Sequence, residues 1–273
     1  MFYYFAGGLF DHKELIGNHL LAEAVLHASG GRWEPLLPQK AENQTRPDAL
    51  EIRDNDFAMV LQSDAALFNF DGSELDSGTV AEFMAARFLD LPCVLFRTDF
   101  RSAGDQNADG EPWNLMLSGY PRTATLRYAC MSRYQALFRE YPTAEALQKY
   151  YTEMAEAVVA KLDAVYNMSP VYQSDAERLA AREFFIRTCG GTLPEKFLNK
   201  KIRPVELTGL IFSREQCTLE FQKSMAHTIP CAIPGIHSWH SPQYRLCTKC
   251  SARRGTDRYF AAFSSVFLTY LSR

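Results

Sequence analysis

The chain has 273 residues, of which 47% are hydrophobic and 22% charged, the composition of a globular rather than a disordered protein. Its formal net charge of -3 argues against nucleic acid as a partner, because phosphate is normally bound by a basic surface. No apolar run in the sequence approaches the roughly 20 residues that a membrane span needs. At typical sizes of roughly 100 to 200 residues per domain, the length favours one and a half or two domains.

The N-terminus and the cysteine content indicate the cellular compartment. The first residues, MFYYFAGG, lack the basic start and longer apolar stretch of a secretory signal, so we expect a cytoplasmic protein. The chain has seven cysteines, and an odd number fits reduced thiols or a metal site better than a disulfide framework.

The first half of the chain alternates predicted strands with predicted helices. The third and fourth strands, AALFNF and PCVLF, are short and mostly apolar runs, which is typical of strands covered on both faces in a parallel sheet. A long helix that ends near 167 closes this half. We therefore predict a doubly wound, five-stranded parallel sheet of the flavodoxin or Rossmann-like class. The five predicted strands are 2–6, 33–37, 65–70, 92–96 and 123–129.

One stretch, DGSELDSGTVAEFMAARFLDLPCVLFRTDFR from 71 to 101, is the predicted centre of function. An acidic loop with a glycine leads directly into a helix over 79–89, between the two buried strands. Asp76 and Glu82 lie six residues apart, so both carboxylates can face one small pocket at the carboxyl end of the preceding strand. In open α/β sheets ligands bind there. The G-x-G-x-x-G spacing of a dinucleotide site is absent after the first strand.

The segment DSGTVAE resembles the signature of the nucleoside 2-deoxyribosyltransferase family, in which an Asp is followed by a Gly two residues later and a catalytic Glu four beyond that. Asp76, Gly78 and Glu82 have this spacing. Other positions of the family follow in order along residues 1 to about 130, and the resemblance ends before 167. They are Tyr4 in the first strand, Asn55 and Asp56 before the central strand, and Asn114 in WNLML.

The resemblance implies a catalytic role for three of these residues. Glu82 would be the nucleophile that forms a glycosyl ester, Tyr4 would donate its hydroxyl to that carboxylate, and Asp56 would exchange a proton with the purine or pyrimidine ring. No catalytic cofactor is implied. An ionised Asp76 would accept a hydrogen bond from a free 5′-hydroxyl and repel phosphate.

The resemblance also implies the substrates and the assembly. The substrates would be deoxynucleosides and free nucleobases, and the substrate-binding set would be Asp76, Asn55, Asn114, Gly7 and Gly78, with Gly7 in the turn after the first strand where backbone can approach a ligand. Asn114 would reach the site of a neighbouring subunit, so we expect a homo-oligomer with shared active sites.

Some of the polar residues have a simpler alternative. Asn55 and Asp56 lie in the middle of a predicted helix, where polar residues are commonly solvated, and Asn114 could cap a short helix predicted over 112–119. Asp99 and Arg101 start a polar loop that is a candidate lid, and could form a local ion pair. For the whole domain, the alternatives are a nucleoside or nucleotide N-glycosidase and a nucleotide-sensing module that does not cleave.

The second half, 168–273, is predicted to be a mainly helical extension whose role the sequence leaves open, following a first domain of 1–167. Five of the seven cysteines lie there. His237 and His240, followed by Cys247 and Cys250 with Cys231 upstream, could bind a structural zinc ion, or could be residues of ordinary buried turns. An aromatic helical face between 259 and 271 is typical of a core or a subunit interface.

Overall fold

The computed structural model describes residues 1–41, 48–102, 104–106 and 110–198. Their five strands form one parallel sheet in the order β2-β1-β3-β4-β5. This is the flavodoxin-like order, and it confirms the predicted fold class. The strands are β1 (Phe2–Ala6), β2 (Glu34–Leu36), β3 (Ala65–Asn69), β4 (Cys93–Arg97) and β5 (Thr123–Arg127).

Eight helices accompany the sheet in the part of the chain that the structure describes: α1 (His12–Ala28), α2 (Pro38–Ala41), α3 (Ala49–Gln62), α4 (Ser77–Phe88), α5 (Cys130–Glu140), α6 (Thr143–Tyr166), α7 (Asp175–Cys189) and α8 (Leu193–Phe197). A 3₁₀ helix, Leu115–Leu117, precedes β5. None of these helices combines the length and apolar character needed to cross a membrane.

The apolar side chains of β1 point alternately to the two faces of the sheet, and this explains why both faces are covered by helices. Tyr3 and Phe5 point to one side and belong to the core that α1 and α6 close. Tyr4 and Ala6 point to the other side and pack with residues of α3 and α4. Successive side chains of a strand alternate between faces, so a strand that is apolar throughout can be stable only between two helical layers.

Three local features differ from the sequence prediction. The polar loop after β2 contains the single turn α2. Helix α5 was not predicted, although its apolar residues Cys130, Tyr134, Leu137 and Phe138 have helical spacing. The helix predicted over 112–119 is reduced to the 3₁₀ turn. Asn114 caps the N-terminus of this 3₁₀ turn, and Gly119, at φ +78, lies just beyond its C-terminus.

The described residues after 167 still pack against the sheet domain. Helices α7 and α8 pack on the layer of α3 and α4, and Ile186 and Leu193 are buried in the same apolar cluster as Tyr4. Tyr172 donates its hydroxyl to the carbonyl of Phe88 at the end of α4, over 2.6 Å. The division of the chain into 1–167 and 168–273 stays a prediction, and residues 171–198 are part of the packing around the first domain.

Candidate active site

The order of the strands creates a switch point between β1 and β3. These two strands are hydrogen-bonded neighbours, although α1, β2 and α3 lie between them in the chain. The connections from β1 and from β3 run to opposite edges of the sheet, and this leaves a crevice at their carboxyl ends. Tyr4 comes from β1, and the acidic loop follows β3. The candidate site is therefore where the topology of the fold predicts a ligand.

Asp76 begins the helix that carries Glu82. One oxygen, Oδ2, accepts hydrogen bonds from the backbone nitrogen of Thr79, over 2.7 Å, and from its hydroxyl, over 2.8 Å. Such a bond satisfies a free N–H group of the first helical turn. Oδ1 of Asp76 accepts no bond from the residues that the structure describes, so the capping carboxylate still has an oxygen for a ligand.

The residues around this cap fix the start of the helix. Thr79 is buried, and a Cβ on Gly78 would lie 3.2 Å from Oδ2 of Asp76, closer than most side chains tolerate. Gly78 therefore leaves room for the capping carboxylate. Its predicted contact with substrate stays a prediction.

Glu82 is hydrogen-bonded to Tyr4. The tyrosine hydroxyl donates to Oε1 over 2.8 Å, and Tyr4 itself is completely buried. Burial, followed by the negative charges of Asp56 and Asp76, raises the pKa of Glu82 to about 8, while the bond from Tyr4 opposes this shift. A partly buried carboxyl with a shifted pKa in a crevice is a candidate catalytic group on physical grounds.

Asp56 belongs to the same electrostatic group. It lies on α3, two residues after the buried Asp54, and is itself partly exposed. After burial and the charge of Glu82, the charge of Asp56 is a further cause that raises the pKa of Tyr4 well above its usual value. The structure thus brings Tyr4, Asp56, Asp76 and Glu82 together. Three acidic side chains in one small region favour the uptake of at least one proton.

The loops that border the site are held by a buried arginine that sequence reasoning did not single out. Arg97, at the end of β4, is 1% exposed, and its guanidinium donates to four backbone carbonyls. The acceptors are Phe70 and Gly72 after β3, and Asp99 and Arg101 after β4. Only its apolar strand context distinguishes this arginine in the sequence, so no pattern marked it.

Asp71 ties the same two loops together. Its carboxylate accepts bonds from the backbone nitrogen and hydroxyl of Thr98, each over 2.6 Å, and from the backbone nitrogen of Asp99 over 2.7 Å. Arg101 forms an ion pair with Asp99, with a 3.0 Å bond from Nε to Oδ1, as the simpler interpretation of these two residues predicted. The start of the acidic loop is therefore rigidly anchored.

Three of the predicted substrate-binding residues have structural partners. A Cβ on Gly7 would lie 3.0 Å from Cβ of Asn69, so this glycine permits the close approach of β1 and β3 at their ends. Asn55 accepts a 2.8 Å bond from Nζ of Lys196 in α8. Asn114 is exposed and accepts a 2.9 Å bond from the backbone nitrogen of Met116, which is the capping role of its simpler interpretation. Their roles toward substrate stay predictions.

The predicted zinc ligands Cys231, His237, His240, Cys247 and Cys250 lie outside the described residues, and so does the aromatic face between 259 and 271. Within the described residues, no group of three or more His, Cys, Asp or Glu side chains is arranged to hold a metal ion. Zinc in the C-terminal region and catalysis without a cofactor both stay predictions.

Comparison with known proteins agrees with the resemblance in the sequence. Residues 3–116 match the family model for nucleoside 2-deoxyribosyltransferase. This segment is less than half of the chain and contains every predicted catalytic and substrate-binding residue. No curated protein sequence is matched.

Solved structures that are similar to the chain include the following three. A conserved protein from Enterococcus faecalis V583 is 21% identical, covers 60% of this chain and 98% of its own, and gives a TM-score of 0.38. A 2-deoxyribosyltransferase from Leishmania mexicana is 25% identical. The match covers 43% of this chain and 85% of the Leishmania protein, with a TM-score of 0.34. A 2-deoxyribosyltransferase from Bacillus psychrosaccharolyticus is 20% identical. The match covers 54% of this chain and 96% of the Bacillus protein, with a TM-score of 0.36.

Proposed function

We propose that this chain, whose residues 3–116 form a nucleoside 2-deoxyribosyltransferase-family domain, transfers 2-deoxyribose between purine and pyrimidine bases. The observation that carries the proposal is the hydrogen bond from Tyr4 to Glu82 inside a crevice that also holds Asp56 and Asp76. One carboxylate held by a phenol, with a second carboxylate nearby, supplies a nucleophile and a separate proton donor.

In the first half of the reaction, a carboxylate oxygen of Glu82 attacks C1′ of the deoxynucleoside. The bond between C1′ and the base nitrogen breaks, and its electron pair leaves with the base. Asp56 gives that base a proton or a hydrogen bond, because an unprotonated base is a poor leaving group. The product is a glycosyl ester on Glu82 and a free base.

In the second half, a nitrogen of an incoming base attacks C1′ from the opposite side and releases the Glu82 carboxylate. The proton that this nitrogen loses returns to Asp56. Two inversions at C1′ give net retention of configuration, as in retaining glycosidases. Water in place of the incoming base would give hydrolysis, so the competition between base and water determines whether the enzyme is a transferase.

The raised pKa of Glu82 identifies a source for the proton that Asp56 gives to the departing base. With a pKa of about 8, Glu82 carries a proton in much of the free enzyme at neutral pH. The nucleophile must be ionised and Asp56 must be protonated for the reaction to start. Moving one proton from Glu82 to Asp56 as the substrate binds would establish both states without exchange with solvent.

The substrate proposed for the pocket is a nucleoside rather than a nucleotide. Oδ2 of Asp76 is occupied as a helix cap, and Oδ1 is the oxygen that would accept a bond from the 5′-hydroxyl. A carboxylate at this place would repel a 5′-phosphate, whose charge has the same sign. Free nucleobases are the second substrates.

The proposed active form is a homo-oligomer. Asn114 is exposed, and the next two residues of the 3₁₀ helix, Leu115 and Met116, are 53% and 68% exposed. Adjacent exposed apolar side chains are common at subunit contacts. Asn114 would then complete the sugar pocket of a neighbouring subunit.

Base exchange tests the proposed function directly. The protein is incubated with deoxyinosine, with and without free adenine, and the products are separated by chromatography. We expect deoxyadenosine and hypoxanthine when adenine is present, and little release of hypoxanthine without it. Equal release of hypoxanthine in both incubations, with no deoxyadenosine, would identify an N-glycosidase, and unchanged deoxyinosine in both would favour a binding module.

A further inference from the structure

The segment from α7 to α8 lies beyond the family match and binds the three residues that directly precede Asp56. Arg53 donates to the carbonyl of Cys189 over 2.9 Å. Asp54 accepts from Thr192, and Asn55 accepts from Lys196 over 2.8 Å. Each contact joins a residue of α3 to one near the turn between the two later helices.

Asp54 is the centre of this junction. Its carboxylate is completely buried, and both oxygens are bonded. Oδ1 accepts from Arg53, and Oδ2 accepts from the backbone nitrogen of Thr192 over 2.5 Å and from its hydroxyl over 3.0 Å. A Cβ on Gly191 would collide with this carboxylate, and Gly191 has a φ of +61. The turn is therefore shaped to receive the buried carboxylate.

The same segment holds the other end of α3. Arg182 in α7 donates to the carbonyl of Leu61 over 2.9 Å. The rings of Phe57 and Phe185 meet edge to face, with centroids 5.4 Å apart. Because α3 is held on both sides of Asp56, it cannot rotate or slide without breaking contacts to α7 and α8.

We propose that Lys196 and Thr192 are positioning residues for Asp56, so that a segment outside the family match is part of the catalytic apparatus. They act through Asn55 and Asp54 and have no assigned contact with substrate. This inference rests on the proposed function, in which Asp56 assists the departing base. Displacement of an acid or base by about 1 Å can cost up to about a hundredfold in rate.

The test uses two substrates that differ in their need for a proton. Deoxyinosine loses a base that must be protonated or hydrogen-bonded, whereas p-nitrophenyl 2-deoxyriboside loses an anion that is stable without help. For Lys196→Met and Thr192→Val in the full chain, we expect kcat to fall about tenfold with deoxyinosine and to stay within about twofold with the p-nitrophenyl substrate. Lys196→Arg retains a cationic donor and should restore most of the loss.

Two controls separate positioning from folding and from the parent proposal. Arg178→Gln breaks an ion pair to Asp175 within α7 and should leave both rates unchanged. Asp56→Asn should show the same substrate dependence as Lys196→Met, but larger. If Lys196→Met does not show the native circular dichroism spectrum, the test relies on Thr192→Val. This variant removes one hydroxyl and leaves the backbone bond to Asp54.

The outcomes are distinct. Equal losses with both substrates, or no loss with either, in a folded Lys196 or Thr192 variant would overturn the positioning role, while the substrate dependence of Asp56→Asn would still support the proposed function. A lack of substrate dependence in Asp56→Asn would overturn its role toward the base, and the positioning role would fall with it.

Discussion

Tyr4 and Glu82 are 78 residues apart in the chain, and a 2.8 Å hydrogen bond joins them across the carboxyl end of the sheet. The bond favours the ionised carboxylate, whereas burial and two neighbouring acids favour the protonated one. The balance of these effects determines how much of the nucleophile is ready at neutral pH.

The pH dependence of kcat/KM should report this balance. The reaction needs the proton that Glu82 carries in the free enzyme and passes to Asp56, so kcat/KM should fall as the pH rises through the pKa of about 8. Asp76→Asn removes a negative charge and should move this fall to lower pH. Tyr4→Phe removes the bond that favours the carboxylate and should move it to higher pH. A shift of both variants in the same direction would contradict the assignment.

Stability should depend on pH through the same group. The pKa of Glu82 is raised from 4.5 in its ordinary state to about 8 in the fold, so its protonated form stabilises the native state. This contribution is complete below about pH 4.5 and is lost as the pH rises toward 8. Glu82→Gln cannot ionise and does not lose this contribution. The melting temperature of Glu82→Gln minus that of the wild type should therefore increase between pH 5 and pH 8. Parallel melting curves across this range would contradict the raised pKa.

Asp76 should select against a 5′-phosphate. Asp76→Ser removes the like charge and retains an oxygen that can cap α4, so it should narrow the ratio of kcat/KM between a deoxynucleoside and its 5′-monophosphate. Glu74→Ser, an exposed residue of the same loop, makes the same change of charge and should leave that ratio unchanged. A wild-type preference for the monophosphate would contradict the proposed substrate.

Shared active sites can be detected by complementation. Asn114→Ala and Glu82→Ala proteins should each be inactive alone, and mixed oligomers should regain part of the activity, because some sites then combine an intact Asn114 with an intact Glu82. Subunit exchange is verified with two affinity tags. Exchange without recovery of activity would place both residues in the site of one subunit.

The sequence was sufficient to predict the sheet, because the apolar runs of β3 and β4 have no stable place except between two helical layers. It was also sufficient to place Asp76 and Glu82 near each other on one loop and helix, since their separation depends on local spacing. Tyr4 and Asp56 were identified from the family resemblance, and no periodicity in their own segments distinguishes them.

Other features could not be predicted because they depend on contacts between distant segments. Arg97 binds backbone carbonyls of two loops, and backbone carbonyls carry no sequence signal. Lys196 meets Asn55 across 141 residues, and neither residue type is unusual on a helix. The helix α5, in contrast, could have been predicted, because its apolar residues Cys130, Tyr134, Leu137 and Phe138 have the spacing of one helical face.

The central claim is that Glu82 is the nucleophile. Glu82→Ala should lose at least about a thousandfold in kcat/KM, equal to about 4 kcal/mol of barrier, while Glu74→Ala in the loop before α4 should retain its rate. The most direct measurement is mass spectrometry of the wild type after incubation with a slow 2-fluoro deoxynucleoside. We predict one added fluorinated sugar, located on the peptide that contains Glu82 and released by free adenine. An unmodified Glu82 peptide under conditions where the base is released, or a sugar on another residue, would contradict the account.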